Sequence, residues 1–80
     1  MKRRISILGS TGSIGRQSLE VIKALGFEAA ALTANQNIEL LEKQAREFKP
    51  ELVVVYDKKR AGDLKVRLSD TAVQIGRAHV

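Results

Sequence analysis

The 80-residue sequence predicts an α/β fold, a truncated parallel sheet of three or four strands with helices on both faces. Three observations carry that prediction. A short apolar run, Ile5 to Leu8, meets glycines at positions 9, 12 and 15, and a helical pattern starts directly behind them. Apolar runs then alternate with helix-period segments, an order that calls for crossover connections and parallel pairing. Leu52-Val53-Val54-Val55-Tyr56 is continuously apolar and β-branched, the composition of a parallel strand covered on both sides. Together they describe a Rossmann-like unit.

The first strand ends at Gly9, where a sharp exit favours a residue that takes positive φ without steric cost. Gly12 has no Cβ, so a pyrophosphate can approach its backbone, and Gly15 lets the new helix pack closely on the strand. A helix opening there presents free N–H groups and the positive end of its dipole to an anion. Ser10, Thr11 and Ser13 are read as further hydroxyl donors around that point. Leu19, Ile22 and Leu25 recur every three residues, which predicts a helix over Ser13–Leu25 with Gly26 as its left-handed C-cap.

Phe27 to Thr33 reads as the second strand, although its alanines have poor β-propensity. After the loop Ala34-Asn35-Gln36-Asn37, Asn37 caps a helix whose buried stripe is Ile38, Leu41, Ala45 and Phe48. Pro50 stops that helix. Asp57 ends the third strand and caps a helix from Lys58 to about Leu68, with Ala61, Leu64 and Leu68 inward. A short fourth strand starts within Thr71 to Ile75. In a doubly wound sheet, ligand loops lie at the carboxyl ends of the strands. Gly9–Gly15, Thr33–Asn37 and Tyr56–Lys59 are therefore expected to converge.

Composition narrows the function. The chain has no cysteine and no apolar run long enough to span a membrane, so disulfide and thiolate chemistry are excluded and a cytoplasmic location is expected. The net charge of +5 invites a nucleic-acid reading. Yet the bases are scattered, and Phe27, Phe48 and Tyr56 form no stacking pattern. An anionic small-molecule cofactor explains the sign equally well, with neither nucleic acid nor membrane as partner.

NAD-binding domains usually place an acid at the end of the second strand to hold the ribose hydroxyl. Here the segment reads Leu32-Thr33-Ala34-Asn35-Gln36-Asn37, without one. A carboxylate would repel a 2′-phosphate, so its absence favours NADP, with the amides of Asn35, Gln36 and Asn37 as donors. The loop itself lacks Arg or Lys. Lys58, Lys59 and Arg60 read as a solvated helix start on the cofactor side, open to an adenine or phosphate contact. His79 reads as solvated, and Asp57, Asp63 and Asp70 have no partner at metal-ligand spacing, so no catalytic or metal site is expected in the chain.

LGSTGSIGRQSLEVI, followed by LTANQNIELLEKQAREFKPELVVV, resembles the N-terminus of the 1-deoxy-D-xylulose 5-phosphate reductoisomerases, from about Ile5 to Val73. The resemblance implies conversion of deoxyxylulose phosphate to methylerythritol phosphate in isoprenoid synthesis, with NADPH and Mg²⁺ or Mn²⁺, by a parent homodimer. Carried onto this sequence, it puts Thr11, Gly12, Ser13 and Ile14 at the pyrophosphate and Asn35, Gln36 and Asn37 at the ribose phosphate. It places the metal ligands, the lid and the substrate-phosphate site beyond residue 80, so this chain alone is expected to be inactive.

Ile75-Gly76-Arg77-Ala78-His79-Val80 leaves that pattern and is what a common sequencing-library adaptor would encode. Residues 1–74 are thus read as a partial NADP-binding domain and 75–80 as a non-native tail. In a strand order of 3-2-1-4 the first strand would be central, and the strand beside it would lie past Gln74. Two other readings stay open at this point: another NADP-dependent reductase, such as a semialdehyde dehydrogenase, or a small nucleotide- or nucleic-acid-binding module.

Overall fold

The computed structural model describes residues 3–77. In chain order it holds β1 (Arg4–Ile7), α1 (Ser13–Leu25), β2 (Glu28–Ala34), α2 (Ile38–Phe48), β3 (Leu52–Val55), α3 (Lys58–Arg67) and β4 (Gln74–Arg77). All four strands pair in parallel, giving the Rossmann-like α/β sheet that the alternation of apolar runs predicted.

The helix ends follow the local chemistry. Gly26 closes α1 at φ 72°, the left-handed conformation that glycine adopts without a Cβ penalty. The Asn37 side chain accepts from the Leu40 N–H at 3.2 Å to cap α2. Asp57 does the same for α3, accepting from the N–H groups of Lys59 and Arg60 at 2.9 and 3.3 Å. Each takes a donor that the first helical turn leaves free.

One core joins the layers. Leu19 and Ile22 of α1, Ile38, Leu41 and Ala45 of α2, and Ala61 and Leu64 of α3 pack on Ile7, Leu32, Ala34, Val53 and Val55 of the strands. The pairing of β1 with β2 slips between Ile5 and Ser6, so that Ile5 opposes Ala29 while Ser6 opposes Ala31. That irregularity is a β-bulge, which resets the side-chain alternation. It lets Ala29, Leu32 and Ala34 all reach the buried face.

The strand order is β1-β2-β3-β4. This corrects the 3-2-1-4 expectation in one respect, because the fourth strand of the chain lies outside β3 and β1 remains an edge. Parallel strands that follow in sequence order, joined by crossovers of one hand, carry their helices on one face. Among the described residues the helices accordingly feed one buried layer, and the other face exposes Ser6, Leu52 and Gln74. The sequence predicts helices on both faces; among the described residues they cover one, because each crossover advances by a single strand in the same direction. Val54, read as buried on both sides, is only half-buried there. Ile75 to Arg77, which the sequence reading set apart as tail, supply three of the four residues of β4. His79 lies outside the described residues.

Candidate functional site

The glycine turn connects β1 to α1, and its three glycines serve different needs. Gly9 sits at φ 69°, a conformation that costs other residues about 1–2 kcal/mol. A Cβ on Gly15 would lie 2.7 Å from the Ser10 Cα and closer still to the Gly9 carbonyl oxygen. Both neighbours are backbone, so Gly15 is required by the close approach of helix and strand. Gly12 differs. It has φ −79° and ψ 172°, open to any residue, and a Cβ there would meet only the Gly9 oxygen at an ordinary 3.5 Å. No steric clash demands glycine at position 12, and its backbone is open to approach from outside.

Gly12 is also the N-cap of α1, and no side chain caps that end. The first turn contains no acid. The opening N–H groups of α1 and its dipole therefore face outward with no competing anion. Thr11 is half-buried, while Ser13 and Ile14 are exposed around the same turn. Ile14 is 79% exposed, and so is Leu8 at the end of the first strand run. Leu8 was not among the residues singled out from sequence, where it read simply as the last residue of a buried strand.

Ser10 departs from its expected role. It is completely buried, and its hydroxyl donates to the Gln44 Oε1 at 2.7 Å. Here the hydroxyl fastens the turn from within. Gln44 also donates from Nε2 to the Ser10 carbonyl at 2.8 Å. Thr33 holds the turn from β2, with its Oγ1 accepting from the Gly9 N–H and its carbonyl accepting from the Ser10 N–H, both at 2.8 Å. Gln44 escaped the sequence reading, although a polar residue between Leu41 and Ala45 on a buried stripe is a visible signal.

The second loop follows at the same end of the sheet. Asn35, Gln36 and Asn37 are all exposed, with the Asn37 carbonyl oxygen engaged in capping. A groove of about 360 Å³ runs beside it, lined by Gln36, Asn37, Glu39, Arg60, Asp63 and Arg67. Arg60 thus brings to this loop the cation that the loop lacks. Arg67 is committed elsewhere, pairing with Glu42 at 3.3 Å. The third loop joins the second through the Tyr56 N–H, which donates to the Ala34 carbonyl at 3.1 Å. Lys58 and Lys59 are exposed at the start of α3.

Away from this end, Arg46 forms a two-pronged pair with Asp70, both bonds at 3.1 Å. It also bonds Glu42 at 3.2 Å and the Arg67 carbonyl at 2.8 Å. The Asp70 carboxyl is held below its ordinary value, chiefly by the hydrogen bond from Arg46. This cluster ties α2 to the turn after α3, opposite the glycine turn. No group of three metal-ligating side chains occurs among the described residues, and no helix of them is long and apolar enough to cross a membrane.

The family model described as 1-deoxy-D-xylulose 5-phosphate reductoisomerase matches residues 5–80. Among curated relatives of that name, one from Acetivibrio thermocellus is 57% identical over 75 residues, covering 94% of this chain and 20% of its own length. One from Ruminiclostridium cellulolyticum is 52% identical with the same coverage. Among solved structures, the reductoisomerase of Zymomonas mobilis in complex with NADPH superposes with a TM-score of 0.91 at 31% identity. It covers 98% of this chain and 21% of that one. The chain thus spans about a fifth of the length of the relatives it matches. A match running from the first strand through the end of the chain leaves one assignment: the chain belongs to the 1-deoxy-D-xylulose 5-phosphate reductoisomerase family.

Proposed function

We propose that this chain forms the NADPH-binding part of a reductoisomerase that converts deoxyxylulose phosphate to 2-C-methyl-D-erythritol 4-phosphate in isoprenoid synthesis. The observation that carries the reading is the division of labour among the glycines. Gly9 and Gly15 are required by the fold, whereas Gly12 meets no such clash and leaves its backbone open to a ligand. NADPH, when bound, supplies a hydride for the reduction. The residues of this chain bind and orient the cofactor. The open end of α1 and the hydroxyls of Thr11 and Ser13 receive the pyrophosphate, and Ile14 lies against it. Asn35, Gln36 and the amide nitrogen of Asn37 donate to the ribose phosphate. No carboxylate stands at the end of β2 to repel it.

Residues 1–74 are read as a partial NADP-binding domain. The separate reading of residues 75–80 as non-native stands against a family match that extends to residue 80, and an independent read of the coding sequence decides it. The Mg²⁺ or Mn²⁺ ligands, the catalytic groups and the substrate-phosphate site belong to other parts of a cytoplasmic, homodimeric enzyme that contacts neither nucleic acid nor membrane. Gly12→Val tests the nucleotide site. Calorimetric titration should show NADPH binding lost while the circular dichroism spectrum stays that of the parent chain. Normal binding by a folded Gly12→Val chain would make the turn purely structural.

A further inference from the structure

We infer that Gln44, buried on α2, is a positioning residue for nucleotide binding. The inference rests on the nucleotide reading above. Gln44 is 6% exposed, and both ends of its amide are spent on a single residue of the glycine turn. Oε1 accepts from the Ser10 hydroxyl at 2.7 Å and Nε2 donates to the Ser10 carbonyl at 2.8 Å. From the opposite side, Thr33 engages the N–H groups of Gly9 and Ser10, each at 2.8 Å. The peptide units on either side of Ser10 are therefore held from two elements at once.

That clamp acts where the turn has most freedom. Gly9 and Gly12 flank the clamped residue, and glycines lose more conformational freedom on ordering than other residues. A turn ordered before the ligand arrives spares that cost at binding. Gln44 acts through orientation, because it is buried and both ends of its amide are spent on Ser10. Its amide is also suited to the task in a way that a carboxylate or lysine is not. Ser10 presents a donor in its hydroxyl and an acceptor in its carbonyl, and an uncharged amide matches both at once.

The test is a set of NADPH titrations on the full 80-residue chain, run well below the melting transition, with thermal melts in parallel. Gln44→Leu removes both bonds and should weaken NADPH about tenfold, the effect of about 1.4 kcal/mol lost from turn ordering. Ser10→Ala keeps the bond from the Gln44 amide to the carbonyl and should weaken binding less. The double variant should bind as Gln44→Leu does, since both changes break one device. If Gln44→Leu melts without cooperativity, Gln44→Met, which keeps the volume, replaces it with the same expectation. Unchanged affinity in a cooperatively folded Gln44 variant overturns the inference. So does a Ser10→Ala loss that adds in full to the Gln44 loss, which would make the hydroxyl a direct contact. A parent chain that binds no NADPH overturns the nucleotide reading, and the inference with it.

Discussion

Position 15 is held to glycine by a clash that position 12 does not have, and substitution separates them. Gly15→Ala forces a Cβ against the backbone of Gly9 and Ser10, which cannot give way as a flexible side chain would. It should destabilise the chain by about 3 kcal/mol or more. Gly12→Ala meets only an ordinary contact and should cost no more than about 1 kcal/mol, the usual effect of alanine at a helix N-cap. Paired denaturant titrations check both values, and equal losses would contradict the assignment. The roles of Gly9 and Gly15 were legible in the spacing of the glycines, because covalent geometry alone fixes what they permit. The burial of Ser10 was not. Its partner lies 34 positions away on another helix, and a hydroxyl beside a phosphate-binding turn looks the same in sequence whether it faces the ligand or the core.

At the scale of elements, the caps and stripes were legible and the irregularities were not. Gly26, Asn37 and Asp57 cap where their chemistry predicts. The end of α2 turns instead on Lys49, at φ 49°, where a side chain is disfavoured. Lys49→Gly should raise stability by about 0.5–1 kcal/mol, the relief of that conformation less the entropy glycine adds to the unfolded chain. A chemical melt reads the change directly, and a loss of stability would contradict it. The bulge in the first strand pair has no sequence signature beyond the run of alanines at 29–31, which any register accommodates. The pair between Arg46 and Asp70 sets a pH dependence. Because the folded carboxyl is held below the ordinary 3.8, its contribution is present above that value and is lost as pH falls through the lower folded value. Asp70→Asn should flatten the acid limb of the stability profile in that window. An unchanged limb would mean that the pair is too exposed to matter.

For the whole molecule, the alternation of strand and helix predicted a parallel sheet, while the side on which β4 adds depends on long-range packing that no local pattern displays. Short crossovers moving one strand at a time leave β1 with one unpaired edge and one sheet face without helices among the described residues. An open apolar edge invites pairing with another chain, and a chain this small buries only about 60–65% of its unfolded surface. The isolated 80-residue chain should therefore associate as its concentration rises. Sedimentation velocity would contradict this by showing a single monomer across that range. With NADPH and Mg²⁺ it should show no turnover of deoxyxylulose phosphate, since it spans about a fifth of the length of the relatives it matches. The most direct test of the central claim is calorimetric titration of the chain with NADPH and, separately, NADH. The open end of α1 and the acid-free end of β2 predict saturable binding of both, with NADPH the tighter. Equal affinities, or preference for NADH, would contradict the account.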